Sequence, residues 1–392
     1  MMKYLLVISL VLTEVLSLAA QKKYEISFPY DGYLREMIVS IPTTPPPSDG
    51  YPVVMMLHGS SGDKNIFYNS YGWKQLGQKE NFITIFPSSL SWCFFDNGIQ
   101  KNNTKWVCGE LLEKICPSDT SKLISDIKFF RKILDVLKDT VSINPGKVFA
   151  SGFSNGDAEV FKIAMEAGDV FKVVGGSAGE LSTLDSLTPQ NRVPIWYMVG
   201  TLDDRFVNPP YTSIPFGEDS VLNYLYPIHK RILACQGLST DFTKTETPLT
   251  KTYLFQTCLP GQDCKPYVFT LIKNLTHQFP NGQNNPIDGP DLLWKFFNNP
   301  PGVITATDEL SNPNAPTIAC FPNPSRNSMK INLINFEGTS NIQIYSQLGT
   351  LLKNTQNVGE SVIIDNKDIG TGIFFLKVNS KNNVIVKKII FQ

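Results

Sequence analysis

The sequence predicts an α/β fold with a mainly parallel sheet, joined through a linker to a small all-β module. Three observations predict it. From Tyr24 to about Asn299, short β-type runs alternate with helix-type segments. One of those segments repeats apolar residues at helical spacing. Beyond Asn299 helical periodicity stops and only strand-like alternation continues.

Taken in chain order, Lys3 and the apolar run Leu5–Leu12, then Ser17, Ala19 and Ala20, have the layout of a secretory signal over residues 1–20. That run is too short to span a bilayer, and no other stretch reaches the roughly 18 apolar residues a membrane helix needs. Eight runs read as strands: Tyr24–Phe28, Leu34–Ile41, Val53–Leu57, Phe82–Phe86, Lys147–Ala150, Lys172–Gly175, Ile195–Val199 and Tyr267–Ile272. The clearest helix places Leu123, Ile127, Phe130, Leu134 and Leu137 on one face, with Asp119, Thr120 and Ser121 as capping candidates. Asn144-Pro145-Gly146 is expected to stop the chain before the next strand. Pro300, Pro301, Gly302, Pro313 and Pro316 mark a linker over residues 300–318. Residues 319–392 alternate as strands, for example Met329–Leu333, Ile342–Tyr345 and Ile373–Val378, and read as a sandwich. The catalytic-size domain is then 21–299.

The chain has 392 residues with 35 basic and 35 acidic side chains, and this neutrality argues against a nucleic-acid partner. Export would permit disulfides among the 7 cysteines; their pairing is open, and the odd number leaves at least one thiol unpaired within the chain. No CxxC spacing occurs and there are only 3 histidines, so a structural metal site is not expected.

Two segments match GxSxG. Gly152-Phe153-Ser154-Asn155-Gly156 lies between a strand and a helix-type run, the context that exposes a nucleophilic serine. Gly175-Gly176-Ser177-Ala178-Gly179 lacks a following helix, and Ser177 is expected to be a strand-end residue near the site. A serine hydroxyl needs a base. His58, in Leu57-His58-Gly59-Ser60-Ser61-Gly62, precedes the serine and suits an oxyanion loop. His229 is expected at the surface, solvated or capping a helix. His277 follows the last strand and completes the order serine, acid, histidine. The acid is expected after Ile195–Val199, at Asp203, with Asp204 one loop register away. The backbone N–H groups of Ser60 and Asn155 are the candidate oxyanion donors.

Together these residues resemble the secreted polyhydroxybutyrate depolymerase-like and feruloyl esterase-like enzymes of the α/β-hydrolase superfamily. The likeness covers Tyr24 to Asn299 and rests on Leu57-His58-Gly59, the Ser154 motif, Gly200-Thr201-Leu202-Asp203, His277-Gln278-Phe279-Pro280 and the closing Leu292–Phe297 helix. It implies an α/β-hydrolase fold with an eight-stranded sheet, a triad of Ser154, Asp203 and His277, no cofactor, and a carboxylic ester substrate, possibly polymeric. It also implies that an aromatic segment around Trp92 and Phe94 lines the substrate pocket, with His58 and Phe279 as further binding candidates. The chain departs from the family at Asp157, where a glycine is usual, and at Thr276 and Phe279. Asp157 is expected near the developing oxyanion, making anionic substrates less welcome. The C-terminal stretch resembles sorting domains of type IX secretion, through Phe321-Pro322-Asn323-Pro324, Ile342–Leu348 with Gly349, Gly372–Phe375 and Lys387-Lys388. This implies contact with the secretion machinery and a place at the cell surface or outside it. A non-catalytic binding protein on a hydrolase scaffold and a peptidase of the same fold are the competing readings.

Overall fold

A computed structural model describes residues 21–96, 98–217, 219–303, 317–336, 338–347, 349–357, 359–380 and 383–392. The signal expected over 1–20 and most of the expected linker lie outside the described residues. The chain divides into two compact units, residues 1–306 and 307–392.

In the first unit the strands are β1 (Lys22–Tyr30), β2 (Tyr33–Ile41), β3 (Tyr51–Leu57), β4 (Ile83–Pro87), β5 (Ser91–Asp96), β6 (Ile99–Thr104), β7 (Ile143–Phe153), β8 (Val173–Ser177), β9 (Ile195–Gly200), β10 (Phe242–Glu246), β11 (Thr250–Phe255) and β12 (Tyr267–Ile272). The helices are α1 (Lys64–Asn69), α2 (Trp73–Glu80), α3 (Gly109–Leu112), α4 (Asp126–Lys138), α5 (Asn155–Glu166), α6 (Ser220–Tyr224), α7 (Tyr226–Gln236) and α8 (Gly289–Asn298). Ten strands form one sheet in the order β1-β2-β4-β3-β7-β8-β9-β12-β11-β10. The run from β4 to β12 is parallel, and the flanking pairs are antiparallel. This is the α/β-hydrolase fold.

All eight expected strands occur, but the sheet has ten. The additions are β10 and β11, a hairpin on the edge; every residue of β10 is exposed, so its sequence carries no apolar alternation. The pair β5–β6 forms a separate two-stranded hairpin. Central strands are buried on both faces, which is why β3 reads as an unbroken apolar run. Its alternate residues serve two cores. Val53, Met55 and Leu57 join α4, α5 and α7 on one face, while Val54 and Met56 join α1, α2 and α8 on the other.

Helix α4 starts later than the periodicity suggests. Residues Thr120–Lys122 form a 3₁₀ turn, Leu123 is extended, and Ser125 precedes the first helical turn. The start is fixed from outside the helix. Asp126 accepts from Arg35 Nη2 (2.5 Å) and from the Val107 N–H (2.9 Å), a buried arrangement at the positive end of the helix. Asn144-Pro145-Gly146 does not precede β7 but lies within it, where the register with β3 shifts.

Disulfides join Cys93 to Cys116 and Cys258 to Cys264, leaving Cys108, Cys235 and Cys320 as thiols. In the second unit, β13 (Thr317–Phe321), β14 (Ser328–Ile334) and β17 (Ser361–Asp365) form one antiparallel sheet. The strands β15 (Ser340–Ser346), β16 (Leu351–Asn357), β18 (Gly372–Ser380) and β19 (Asn383–Phe391) form another. Both contribute to one core, with Met329, Ile331 and Leu333 facing Ile342, Ile344, Leu376 and Val378. Among the described residues, no helix is long and apolar enough to cross a membrane.

Candidate active site

The parallel order of the central strands brings four sequence-distant loops to one edge of the sheet, after the carboxyl ends of β3, β7, β9 and β12. Ser154 sits between β7 and α5 with φ 55° and ψ −124°, a conformation that costs a non-glycine residue roughly 1–3 kcal/mol. The two motif glycines make this turn possible. A Cβ at Gly152 would fall 2.3 Å from the Gly156 carbonyl oxygen, and one at Gly156 would fall 2.4 Å from that of His58. The Ser154 N–H donates to the Ser177 carbonyl (2.8 Å), tying the turn to the end of β8. Ser177 itself is a buried strand-end residue, as expected.

His277 lies across from this turn. Its Nε2 is 2.9 Å from Ser154 Oγ, and its Nδ1 is 2.9 and 3.0 Å from the two carboxylate oxygens of Asp203. Asp203 is fully buried and also accepts the Arg205 N–H (3.1 Å). Asp204, the alternative acid, is exposed and lies near Arg205 instead. Because the carboxylate accepts at Nδ1, that nitrogen carries the proton and Nε2 is free to accept from the serine hydroxyl. Among the described residues, Asp203, Asp204 and His277 form one group with metal-ligand chemistry. The His277 Nδ1 that would have to bind an ion is committed to Asp203, so the group is arranged as an acid–imidazole pair.

Ser60 and Asn155 both border the cavity beside Ser154. Asn155 is the first residue of α5, where a backbone N–H has no carbonyl one turn earlier. The Ser60 loop is held by the Ser61 N–H on Thr104 O (2.9 Å) and the Gly62 N–H on Gly59 O (3.2 Å). His58 lies beneath this loop rather than in the cavity. It is buried, its Nε2 accepts the Ser89 N–H (3.0 Å), and its Nδ1 therefore donates to Gly59 O (2.7 Å). Burial lowers its pKa, favouring this neutral form. The Trp106 indole N–H donates to the His58 carbonyl (2.7 Å) from below. His58 thus buttresses the loop, and its expected contact with substrate is corrected.

The cavity measures about 520 Å³. One wall is the segment between Cys93 and Cys116, contributing Phe94, Asp96, Lys101, Lys105, Glu110 and Lys114; Phe153, Ala158, Ala178, Gly179, Glu180, Arg205 and Phe206 line the remainder. Ser61 and Ala178 adopt positive φ (66° and 64°), so backbone strain concentrates here together with that of Ser154. The Asn155 side chain is locked on three sides: its Oδ1 accepts the Trp106 N–H (2.7 Å), and its Nδ2 donates to Glu110 Oε2 (3.0 Å) and Cys108 Sγ (3.2 Å). Glu110 also pairs with the buried Lys105 (2.5 Å). Burial alone would raise the Glu110 carboxyl, but Lys105 and Asn155 outweigh it and hold it below its ordinary value.

Several expected binding residues lie elsewhere. Phe94 lines the cavity, whereas Trp92, two residues earlier on β5 and in the same apolar cluster with Val107 and Leu111, does not border it. Residues two apart share a strand face, and Trp92 is the one packed against Tyr33, with ring centroids 5.9 Å apart. Phe279 packs edge-on against Phe67 in a core below. Asp157 turns away from the oxyanion loop, is 1% exposed, and accepts the Gly179 N–H (2.8 Å). Burial pushes its carboxyl well above its ordinary value, so the expected repulsion of anionic substrates has no basis. His229 is not at the surface. It is buried, with Nδ1 2.9 Å from the Tyr267 hydroxyl and its ring on Phe269. No sequence motif marks Lys105, Glu110 or Phe206, and Ala178 falls at an unspecified position of the second GxSxG segment.

Residues 319–392 match the family described as the secretion system C-terminal sorting domain. A bifunctional acetylxylan esterase/xylanase of Neocallimastix patriciarum is 22% identical over 264 residues, 67% of this chain and 33% of its own. The chain thus spans about a third of the length of that curated relative. Among solved structures, an acetyl xylan esterase from Aspergillus awamori is similar with a TM-score of 0.48 and 14% identity, over 71% of this chain and 99% of that one. A ferulic acid esterase from Anaeromyces mucronatus gives a TM-score of 0.39 and 13% identity, over 66% and 85%. The sorting-domain match accounts for the second unit, and the first is similar in sequence to a chain named for ester hydrolysis.

Proposed function

We propose that the first unit is a serine carboxylic-ester hydrolase and the second an export address read by the type IX secretion machinery. The observation that carries the reading is the Ser154–His277–Asp203 chain of contacts, at 2.9 Å for each link, opening on a cavity bordered by the Ser60 and Asn155 amides. His277 Nε2 takes the hydroxyl proton as Ser154 Oγ attacks the ester carbonyl. The two amides receive the oxyanion, and losing one such donor typically costs about 10²–10³ in rate. His277 returns the proton to the departing alcohol, leaving Ser154 acylated. Water, deprotonated by the same imidazole, then releases the acid. Asp203 holds the imidazole tautomer and offsets its positive charge throughout.

The substrates this reading favours are acyl esters of polysaccharides. The similarity to the acetylxylan esterase/xylanase supports them, as does a cavity rimmed by Lys, Arg, Asp and Glu side chains, which suit hydroxyl-rich alcohols better than an apolar polyester. The test is a panel of 4-nitrophenyl acetate, methyl ferulate, acetylated xylan and a polyhydroxybutyrate film, run with the wild type and Ser154→Ala. Hydrolysis of the first three, reduced about 10⁴-fold or more in the variant, is expected. Activity on none of the four would overturn the esterase reading. A film cleared in preference to xylan would overturn the substrate assignment.

A further inference from the structure

We propose that the cavity beside Ser154 carries a subsite for a carboxylate on the substrate, formed by Lys101 and Lys114 on the disulfide-closed wall and Arg205 on the loop after β9. The inference deepens the esterase reading and rests on it.

The argument is one of unequal charge pairing. Within the cavity the acids are already engaged. Glu110 is bonded to Lys105 and to the Asn155 amide. Glu180 is paired with Arg231, which is not among the lining residues. Asp96 accepts from Lys101 at 2.6 Å. Two of the cavity cations are not matched in return. Among the described residues, the side chain of Lys114 reaches only the doubly bonded Glu110, at 3.7 Å, and that of Arg205 only the edge of the exposed Asp204, at 4.0 Å. Both line the same cavity as the Asp96–Lys101 pair, and the Asp96 carboxyl is held below its ordinary value by the Lys101 hydrogen bond first and also by the charges of Lys101, Lys114 and Arg205. Lys101, Lys114 and Arg205 thus line one cavity together with Asp96.

Two further features favour recognition of an anion here. The wall is closed by the Cys93–Cys116 bond and by β5–β6 pairing, so the cations of this segment are held on a braced element. The cavity, at about 520 Å³, far exceeds a two-carbon acyl group, so a substrate that fills it extends from Ser154 toward these charges. Asp157, whose charge would have opposed an anion, is buried and turned away. The ligand class is an ester bearing a carboxylate away from the scissile bond, as an acyl ester on a uronate-containing saccharide would.

The experiment compares kcat/KM within two matched pairs. In the first, 4-acetoxybenzoate and its methyl ester place the carboxylate on the leaving group. In the second, the 4-nitrophenyl monoester of glutarate and 4-nitrophenyl pentanoate place it on the acyl side. The anionic-to-neutral ratio, taken within each protein, cancels differences in folding and intrinsic reactivity. Lys114→Gln/Arg205→Gln is expected to lower that ratio about five- to tenfold in at least one pair, and Asp96→Asn to raise it. Salt near 1 M, where the Debye length is about 3 Å, is expected to bring the wild-type ratio toward that of the double variant. Ratios unchanged in both pairs would overturn the subsite while leaving the esterase reading intact. Hydrolysis of none of the four esters by the wild type would overturn both.

Discussion

Acid should destabilise the first unit through His229, and by an amount that follows from its surroundings. The ring lies among Phe255, Tyr267 and Phe269, with one hydrogen bond to the Tyr267 hydroxyl and, among the described residues, no partner at Nε2. Burial lowers its pKa from 6.5 to about 3. The depressed value means that the unfolded chain takes up a proton below about pH 6.5 while the folded one does not. The stability this histidine permits is therefore whole above pH 6.5 and falls as pH drops toward 3. Between pH 7.5 and 5 the loss is about 2 kcal/mol, nearly independent of the folded value so long as that stays below about 4.

The perturbation is His229→Phe, which keeps the ring packing and removes the titration. It forfeits the bond to Tyr267, so the variant should be about 1 kcal/mol less stable than wild type at pH 7.5. Groups such as Asp157 and Glu159, which burial shifts in the opposite direction, are common to both proteins and cancel in the difference. The assay is urea denaturation followed by tryptophan fluorescence. All 5 tryptophans precede residue 300, so the signal reports on the first unit alone. Wild type should lose about 2 kcal/mol more than the variant between pH 7.5 and 5, reversing their order. Parallel pH dependences would refute the placement of a neutral, buried His229.

Other perturbations probe the remaining contacts. Asp203→Asn should lower kcat about 10⁴-fold on a 4-nitrophenyl ester, while Asp204→Asn stays within a few-fold, because only the first meets His277 Nδ1. Asp126→Ala leaves the buried Arg35 uncompensated and should cost about 3–5 kcal/mol in the same urea assay. Replacing Cys93 and Cys116 by serine frees a loop with a sequence separation of 23 and should cost about 3 kcal/mol. Thiol titration of the unfolded, unreduced wild type should find the 3 thiols of Cys108, Cys235 and Cys320.

What the sequence disclosed depended on whether the signal was local. The central strands were legible because burial imposes apolar runs, the exposed edge strand β1 because Tyr24, Ile26 and Phe28 alternate with polar residues, and the Ser154 turn because glycine is required at 152 and 156. The hairpin β10–β11 was not, since β10 is exposed throughout and Phe-Thr-Lys-Thr-Glu has no alternating face. The wall strand β6, Ile-Gln-Lys-Asn-Asn-Thr, is polar for the same reason and reads as loop. His229 was misplaced because its burial comes from Tyr267 and Phe269, some 40 residues away, with nothing in its own helix to announce them. The same holds for Asp157, whose direction is decided by Gly179 across the strand end. The order of serine, acid and histidine could be read from the chain; their distances, and the charges around them, are products of the sheet.

The central claim is that Ser154 is a nucleophile activated by His277. Labelling with a fluorophosphonate probe, followed by digestion and peptide mass analysis, tests it without knowledge of the substrate. One adduct per chain is predicted, on the peptide containing Ser154, lost in Ser154→Ala and strongly slowed in His277→Gln. An adduct on another serine such as Ser177, or no adduct at all with the folded protein, would contradict it.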